Sequence, residues 1–371
     1  MSGPAAGHPR RIFLAATGQN RGKTTVSLGL AAGVLGHGHR LGFLKPVGQR
    51  YLVIDGTRAD EDAVLMKDVF DLPDALDDMS PVTLPRHFTT DYVMGRVTDD
   101  LAAAVAAADT AVARDKDVVL IEGTGHAGVG AVIGLSNAAV AAMLDAPVIV
   151  VSEGGVGRPI DEIVLNHALF ERHGVRVLGA VVNKVMVDAN PDLPEVLTQG
   201  LAQHGIELLG CIPFSELLAN PSLELITTHL TGELLAGEPT PGAVIGGVAI
   251  GAMRADHAVP YLRDRTLVIT PGDRDDLVRV TLEAFLSGRA RGRSLVTGLV
   301  LTGGFRPEAP LLGELLDAGL FTYLVDTDTY RTAQDVHDIL VKTHPTDTDK
   351  IATIIDLVGR SLDPEALLAR L

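Results

Sequence analysis

The segment from Ile12 to Thr25, IFLAATGQNRGKTT, contains the residue types that bind the phosphate chain of a nucleotide. An apolar run ends at a glycine-bearing loop, and Lys23 and Thr24 follow at the predicted start of a helix. In such loops backbone N–H groups surround the phosphates, the lysine neutralises charge, and the hydroxyl holds Mg²⁺. A helix dipole alone contributes only about 0.3 to 2 kcal/mol, so a triphosphate requires the lysine and the metal as well. The residues expected to bind the nucleotide are Gly18, Asn20, Gly22, Lys23, Thr24 and Thr25, with Lys23 also catalytic and Thr24 a metal ligand.

The loop departs from the G-x-x-x-x-G-K-[ST] pattern at its first position. Thr17 stands where the first glycine belongs, and Gly18 follows one residue later. A glycine-rich turn before a helix can also serve strand–helix packing alone. The Lys-Thr-Thr run directly at the helix start favours phosphate binding over that alternative. The segment therefore predicts a nucleotide site without identifying the reaction.

Polar residues follow three other apolar runs. Glu122 directly follows the apolar run Asp117–Ile121 and precedes glycines. This position suits a magnesium ligand or an acid that orients water. The alternative is a solvated residue in a turn. Lys45 follows the run Arg40–Leu44 and would either hold an anionic substrate group that faces the γ-phosphate or be merely exposed; both alternatives stay open. Asn183 follows a valine-rich run and is either an amide that contacts adenine or a turn residue.

A second set of polar loops follows predicted strands nearer the C-terminus. If those strands are parallel, the loops lie at one edge of a sheet and form a second site for an anionic ligand or a partner, with Arg274 as its charge. The alternative is that Asp273 and Thr329 cap helices and the glycines form turns. The residues of this possible second site are Asp273, Arg274, Thr302, Gly303 and Gly304.

The elements that position these residues alternate between apolar β-rich runs and helices of ten to fifteen residues. This alternation predicts a doubly wound parallel α/β sheet, in which ligands bind at the carboxyl ends of the strands. An alanine-rich helix is expected over 98–114, capped by Thr98 or Asp99. A cluster of glycines and prolines over 235–242 predicts a domain boundary. We therefore expect a P-loop domain over residues 1–236 and a smaller α/β domain with C-terminal helices over 237–371.

Composition argues against several classes of partner. The 371 residues carry 31 basic and 47 acidic side chains, a net charge of −16, and no Trp, all of which disfavour nucleic acid. Ala127–Val151 is nearly uncharged, but Asp145 and Pro147 predict a buried helix and a strand rather than a membrane span. The N-terminus lacks the apolar core of a signal peptide, and Cys211 is the only cysteine, so the cytoplasm is expected.

Residues 12–211 resemble the dethiobiotin synthetase-like branch of P-loop ATPases, and the whole chain resembles the amino-terminal regulatory region of long bacterial phosphotransacetylases. The second domain is similar to the one named for an Asp-Arg-Thr-Gly-Gly (DRTGG) signature, although here Asp273-Arg274 and Thr302-Gly303-Gly304 are separate. The segments that carry the resemblance are AATGQNRGKTT, FLKPVGQ, DEDAVLM, LIEGTGHAGVG, VVNKV, VITPGDRDDL and LVLTGGFRP.

The resemblance implies that Lys23 and Thr24 contact phosphates and Mg²⁺, that Asp62 and Glu122 are further magnesium ligands, and that Lys45 lies in the substrate region. It also implies that Asn183 lies near adenine. The acidic stretch Asp60–Asp62 does not by itself distinguish Asp62 from its neighbours, so the assignment of Asp62 depends on the resemblance. Gly18 stands where partitioning ATPases of this superfamily carry a signature lysine, which disfavours a positioning role.

The expected function is that of a protein that binds ATP and Mg²⁺ and hydrolyses ATP slowly, with a second domain that senses a metabolite or docks a partner. The alternative is an ATP-dependent ligase of the dethiobiotin or cobyrinate a,c-diamide synthase kind, which would activate a carboxylate or carbamate near Lys45. Phosphate acetyltransfer by this chain alone is not expected, because the sequence ends at Leu371. A homodimer or a larger homo-oligomer is expected, with no membrane partner.

Overall fold

A computed structural model describes residues 9–187, 189–239, 243–339 and 341–371. The chain forms two compact units, one of Met1–Phe214 with Ile351–Leu371 and the other of Ser215–Lys350. This division differs from the boundary expected at 236/237. The strand Gly232–Ala236 pairs within the second unit, which moves the boundary toward the N-terminus. Part of the glycine- and proline-rich cluster, residues 240–242, lies outside the described residues.

The first unit is built around a sheet in which strands alternate with helices. Its strands are β1 (Arg10–Ala16), β2 (Leu41–Leu44), β3 (Val47–Gly48), β4 (Tyr51–Ile54), β5 (Thr57–Asp60), β6 (Val82–Thr83), β7 (Val118–Glu122), β8 (Val148–Glu153), β9 (Val177–Val185) and β10 (Leu208–Pro213). Its helices before residue 214 are α1 (Lys23–Gly36), α2 (Glu61–Phe70), α3 (Leu76–Met79), α4 (Phe88–Val93), α5 (Leu101–Val112), α6 (Asn137–Met143), α7 (Gly157–Arg172) and α8 (Leu193–Ala202).

Six parallel strands of the first unit follow the order β10-β9-β8-β1-β7-β2. The strands at the centre are buried along most of their length, as expected for a sheet covered by helices on both faces. All six point the same way, so the residues that follow β1, β2, β7, β8 and β9 lie at one edge. The fold class predicted from the sequence, a doubly wound parallel α/β sheet, is confirmed.

Several local predictions for the first unit need adjustment. The alanine-rich helix spans Leu101–Val112, and its cap is Asp100, whose side chain accepts a bond from the Ala103 N–H at 2.9 Å, instead of Thr98 or Asp99. The uncharged stretch after Ala127 forms a short helix and then β8, as predicted. In the described part of the chain, no helix has the length and apolar character needed to cross a membrane.

The second unit contains a smaller sheet with the strand order β11-β15-β14-β13-β12. Four of its strands are parallel, and β11 joins the edge antiparallel to β15. Its strands are β11 (Gly232–Ala236), β12 (Gly247–Ile250), β13 (Thr266–Pro271), β14 (Val296–Thr302) and β15 (Phe321–Val325). Its helices are α9 (Glu216–Ala219), α10 (Leu223–His229), α11 (Ala255–Ala258), α12 (Asp275–Ala290), α13 (Ala309–Ala318) and α14 (Thr329–His337).

Two C-terminal helices, α15 (Thr348–Ser361) and α16 (Pro364–Leu368), complete the chain. Val358 and Pro364 lie directly over Gly29 and Gly33 of α1, where an added Cβ would come within 2.2 and 2.4 Å of them. Glycine at these two positions lets the C-terminal helices approach α1 closely. For this reason Ile351–Leu371 belongs to the first unit, whereas the sequence analysis assigned these residues to the second domain.

Adjacent leucines of α13 provide a matched test of side-chain packing in the second unit. Leu315 is fully buried between β14 and its neighbours, whereas Leu316 on the same helix is 55% exposed. We expect Leu315→Ala to lower the free energy of unfolding by about 2 to 5 kcal/mol because it leaves a cavity. Leu316→Ala should change it by no more than about 0.5 kcal/mol. Urea denaturation followed by far-ultraviolet circular dichroism measures both; equal losses would contradict the assigned packing.

Candidate functional site

The loop between β1 and α1 has the geometry of a phosphate-binding loop. Gly22, which precedes α1, has a φ of +94°, a left-handed conformation that glycine adopts without strain. An added Cβ there would lie 1.9 Å from the Asn183 side-chain nitrogen, so the position also lacks space for a side chain. No side chain caps the N-terminus of α1. The first N–H groups of this helix therefore remain available to an anion.

The carboxyl ends of β8 and β9 brace this loop. The Asn183 amide donates to the Arg21 carbonyl at 3.3 Å, and the Lys184 ammonium donates to the Asn20 carbonyl at 3.1 Å. The Arg21 guanidinium pairs with Glu153 and lies 3.5 Å from Glu162. Asn183 thus contacts the loop itself, and its predicted contact with adenine stays a prediction. The sequence analysis missed Arg21 and Glu153.

A hydroxyl and two carboxylates meet beside the start of α1. The Thr24 hydroxyl lies 3.2 Å from an oxygen of Asp62 and 3.2 Å from one of Glu122, so its single proton bonds to one of them at a time. Ser27, one turn further along α1, donates to the other Glu122 oxygen at 2.5 Å. These contacts bring together residues that lie 98 positions apart in the chain. The sequence analysis missed Ser27, although its position on the same helical face as Lys23 and Thr24 was a usable signal.

Lys45 lies inside this cluster. Its ammonium donates to Asp62 at 2.5 Å and to Glu122 at 2.9 Å, and it lies 4.0 Å from Asp60. Only 4% of Lys45 is exposed, so the exposed alternative left open by the sequence is wrong. Asp60 was not singled out by the sequence; it caps α2 by accepting a bond from the Asp62 N–H at 3.0 Å. The structure therefore surrounds one cation with three carboxylates.

The pKa values follow from burial and from these charges. Burial lowers the pKa of Lys23 to about 8, and the Lys45 ammonium acts in the same direction. Burial would also lower the pKa of Lys45, but the carboxylates of Asp62, Glu122 and Asp60 outweigh it and raise that pKa. Burial raises the pKa of Asp60 to about 6 and raises the pKa of Glu122. The Lys45 ammonium lowers the pKa of both Asp60 and Glu122 and so offsets part of the effect of burial.

The donor set fits Mg²⁺ bound together with a nucleotide. Thr24, Asp62 and Glu122 present hard oxygen atoms, and Mg²⁺ commonly takes one or two carboxylates while phosphate oxygens and water complete its shell. Within the described residues, no group of three or more His, Cys, Asp or Glu side chains could hold a metal ion by itself.

In the second unit, the loops after β13, β14 and β15 lie at one edge, as their predicted parallel order requires. The Gly272 N–H donates to the Thr302 carbonyl at 3.1 Å, and the Gly303 N–H donates to the Thr327 carbonyl at 2.8 Å. Arg274, the predicted charge of this site, pairs with Asp276 at 2.7 Å and also donates to the Met253 carbonyl at 3.0 Å. The charge of Arg274 is therefore already neutralised within the loop.

The remaining residues of this possible second site have structural contacts. The Thr302 hydroxyl is bonded to the Thr329 hydroxyl at 2.7 Å. The Gly304 N–H donates to the Val325 carbonyl at 3.0 Å. Gly303 and Gly304 have φ values of +80° and +72°, so glycine is suited to this turn. A ligand or partner at Asp273, Arg274, Thr302, Gly303 and Gly304 stays a prediction.

Comparison with known proteins finds two family models along the chain. The model described as AAA domain matches residues 10–222, and the model described as DRTGG domain matches residues 225–339. A phosphate acetyltransferase of Nitrosomonas europaea is 28% identical over 374 residues, which cover 97% of this chain and 51% of that protein. A phosphate acetyltransferase of Pseudomonas putida is 29% identical over 366 residues, with coverages of 95% and 50%. The chain spans about half the length of these relatives.

Among solved structures, the CBS and DRTGG domains of the regulatory region of Clostridium perfringens pyrophosphatase are 21% identical to this chain. That structure was determined with the activator diadenosine tetraphosphate. The match covers 35% of this chain and 54% of that chain, with a TM-score of 0.29.

Removal of the Lys45 cation should leave buried carboxylates without compensation. We expect Lys45→Met to lower the free energy of unfolding by about 3 to 5 kcal/mol at pH 7. Carboxylates whose pKa is raised in the folded state bind more protons there than in the unfolded chain. The variant should therefore regain stability as the pH falls from 7 towards 5, through the raised pKa values. Urea titrations at several pH values measure this effect.

Lys116→Met is the matched control, because the Lys116 ammonium is also largely buried but pairs with a single carboxylate, Asp74, at 2.8 Å. It should cost less stability and regain less at low pH. A Lys45→Met protein as stable as the parent at pH 7 would show that the cluster does not depend on this cation.

Proposed function

The chain belongs to the AAA domain family and carries a DRTGG domain after it, and from this premise we propose a nucleotide-dependent regulatory protein. In this proposal the first unit binds ATP with Mg²⁺ and hydrolyses it slowly. The second domain senses a small ligand or docks a partner. The observation that carries the proposal is the position of Thr24, Asp62, Glu122 and Lys45 together at the start of α1, next to Lys23.

In the proposed binding mode, both backbone N–H groups and side chains contact the nucleotide and its metal ion. The loop of Gly18, Asn20 and Gly22 and the first N–H groups of α1, including that of Thr25, surround the phosphates. Lys23 neutralises phosphate charge. Thr24, Asp62 and Glu122 would hold Mg²⁺, which when bound neutralises charge on the phosphates and orients them. Asn183, which donates to the Arg21 carbonyl of the loop, is proposed to contact adenine.

Slow hydrolysis follows from the bonds that the carboxylates already make. Glu122 accepts bonds from both Ser27 and Lys45, and Asp62 accepts one from Lys45. A carboxylate bound to an ammonium is a weak general base, because a proton taken from water would have to compete with that cation. Efficient activation of a water molecule is therefore not expected at this site. We propose that the bound nucleotide, rather than its turnover, carries the regulatory signal.

The ligase alternative is supported by one observation, the burial of a cation beside the nucleotide site at the end of β2. Lys45 could hold a substrate carboxylate for phosphorylation by ATP if it moved away from Asp62 and Glu122. Such a ligase would hydrolyse ATP much faster when its substrate is present. The regulatory proposal does not require Lys45 to leave these carboxylates, so we place the ligase second.

The relatives named phosphate acetyltransferase suggest what is regulated. We propose that this chain corresponds to a nucleotide-binding and ligand-sensing region of such proteins and does not itself transfer acetyl groups. We further propose a homodimer or larger homo-oligomer in the cytoplasm. Sedimentation velocity of the purified chain tests the oligomer, and a monomer at micromolar concentration would refute that part of the proposal.

The nucleotide site can be tested by calorimetry. Lys23→Ala should weaken ATP binding by about 10- to 100-fold, because it removes a charge-assisted contact with the phosphates. Thr24→Val, which keeps the shape of the side chain, should mainly remove the dependence of ATP binding on Mg²⁺. Arg96→Ala is the control: Arg96 is exposed and pairs locally with Asp91 at 2.9 Å. Unchanged ATP affinity in Lys23→Ala would refute the proposed site.

Turnover separates the two proposed functions. ATP hydrolysis by the parent protein should be slow and should change little when small carboxylates, such as dethiobiotin precursors or dicarboxylic acids, are added. Phosphate release measured with and without each compound tests this. A large acceleration by one of them, abolished in Lys45→Met, would favour the ligase.

A further inference from the structure

The arginines of the second unit separate into two groups by their partners. Five of them form ion pairs with nearby carboxylates: Arg254, Arg274, Arg279, Arg306 and Arg331. Within the described residues, the other five have no carboxylate within 4.0 Å: Arg263, Arg265, Arg289, Arg291 and Arg293. All five belong to two segments of chain, 263–265 and 289–293, which we call the arginine edge.

Backbone hydrogen bonds bring these two segments together at the amino ends of β13 and β14. The Arg265 N–H donates to the Ser294 carbonyl at 2.9 Å, and the Thr266 N–H donates to the Leu295 carbonyl at 3.0 Å. This edge of the sheet is opposite to the one that carries Arg274. The unpaired cations are therefore concentrated in one place, although they come from separate parts of the sequence.

A random distribution of arginines over the surface would not be expected to collect the unpaired ones in one place. The chain has 47 acidic and 31 basic side chains, so a surface arginine has more potential partners than competitors. Arg289 lies in the last turn of α12, where a cation is favoured by the helix dipole, and this explains one member of the group. Arg291 is the C-terminal cap of the same helix, so the dipole favours a cation there as well, whereas Arg263, Arg265 and Arg293 lie outside α12. A concentration of unneutralised arginines in an acidic protein repels itself unless an anion binds there.

A cavity lies at the same edge. Its volume is about 450 Å³, within the range of small-molecule sites, and it is lined by Arg265, Arg293, Glu216, Asp264, Gly246 and Leu295 among others. In the described structure, neither arginine forms an ion pair with the two carboxylates that line the same cavity. The cavity therefore presents both cationic and anionic side chains to a ligand. Such a ligand would carry an anionic group for the arginines and hydroxyl groups for the carboxylates.

One of the loops that line this cavity has an unusual backbone conformation. Asp264 and Arg265 are successive residues with φ values of +54° and +64°, a left-handed conformation that costs energy for residues other than glycine. Gly246 lies against them, because an added Cβ would come within 1.6 Å of the Asp264 carbonyl oxygen, and its N–H donates to the Arg265 carbonyl at 2.8 Å. Arg265 is thus presented from a turn of unusual backbone conformation, whereas Arg293 belongs to the neighbouring segment 289–293.

We propose that the cavity at the arginine edge binds a phosphorylated small molecule that carries hydroxyl groups, such as a sugar phosphate. Arg265 and Arg293 bind the phosphate group through the planar, multiple-donor geometry that suits it. Glu216 and Asp264 accept bonds from the hydroxyl groups. This site is separate from the nucleotide site at the start of α1 and from the polar loops that include Arg274.

Calorimetry with two probes tests the proposal on the full chain. Ribose 5-phosphate should bind the parent protein, and Arg265→Gln and Arg293→Gln should each weaken it by about tenfold or more. Arg279→Gln is the matched control: Arg279 lies on α12, is exposed and pairs with Glu314 at 3.3 Å, so the affinity should remain within about twofold. Inorganic phosphate, the second probe, tests whether the hydroxyl groups matter. Glu216→Gln should weaken ribose 5-phosphate and leave inorganic phosphate unchanged.

The Lys23→Ala protein separates this site from the proposed nucleotide site. It should bind ribose 5-phosphate with the affinity of the parent, whereas a probe that occupied the phosphate loop would lose affinity in that variant. Failure of both probes to bind the parent would overturn the proposal. Equal binding by the parent and by Arg293→Gln, an exposed substitution that should not disturb folding, would also overturn it.

Discussion

The ion cluster around Lys45 is the interaction on which the nucleotide site depends. Glu122 is fully buried at the end of a central strand, where an isolated carboxylate would be strongly destabilised. Its charge is tolerated because the Lys45 ammonium lies 2.9 Å away and Ser27 donates a hydrogen bond. The same ammonium holds Asp62 at the start of α2. One cation therefore fixes the relative positions of β2, β7 and α2 at the edge where α1 begins.

The phosphate loop depends on a second set of contacts, which are made by backbone atoms. Its carbonyl groups at Asn20 and Arg21 accept bonds from Lys184 and Asn183, so the loop is held by the end of β9. Gly22 allows this because it leaves space for the Asn183 amide and adopts a left-handed conformation. Side chains at the end of β9 thus hold the loop through its carbonyl groups rather than through its N–H groups.

Sequence reasoning identified the elements of the site, because parallel strands place their carboxyl ends together. Thr24, Lys45 and Glu122 each follow or end an apolar run, and this pattern was enough to predict that they share an edge. It could not predict that Lys45 would be buried among carboxylates, since a residue at a strand end is equally able to face solvent. Asp60 ends β5 and caps α2, whereas Asp62 lies in the first turn of α2, a difference that a stretch of three acidic residues does not reveal.

The domain boundary was misplaced for a different physical reason. Glycine and proline mark breaks in helices and strands, but they do not say to which sheet a following strand belongs. Gly232–Ala236 joins the second sheet antiparallel to β15, and the C-terminal helices return to α1 through close contacts at Gly29 and Gly33. Both are long-range contacts, and no local pattern encodes the first of them. A glycine pair four residues apart on a helix was the available signal for the second of them.

The two anion-binding regions that we propose differ in the solvent exposure of their cations. At the nucleotide site the cations are buried. This burial is the main cause of the lowered pKa of Lys23, about 8, and it also limits the access of water and salt. At the arginine edge the cations are mostly exposed, and their guanidinium groups remain charged at any physiological pH. Added salt should screen the second region far more than the first.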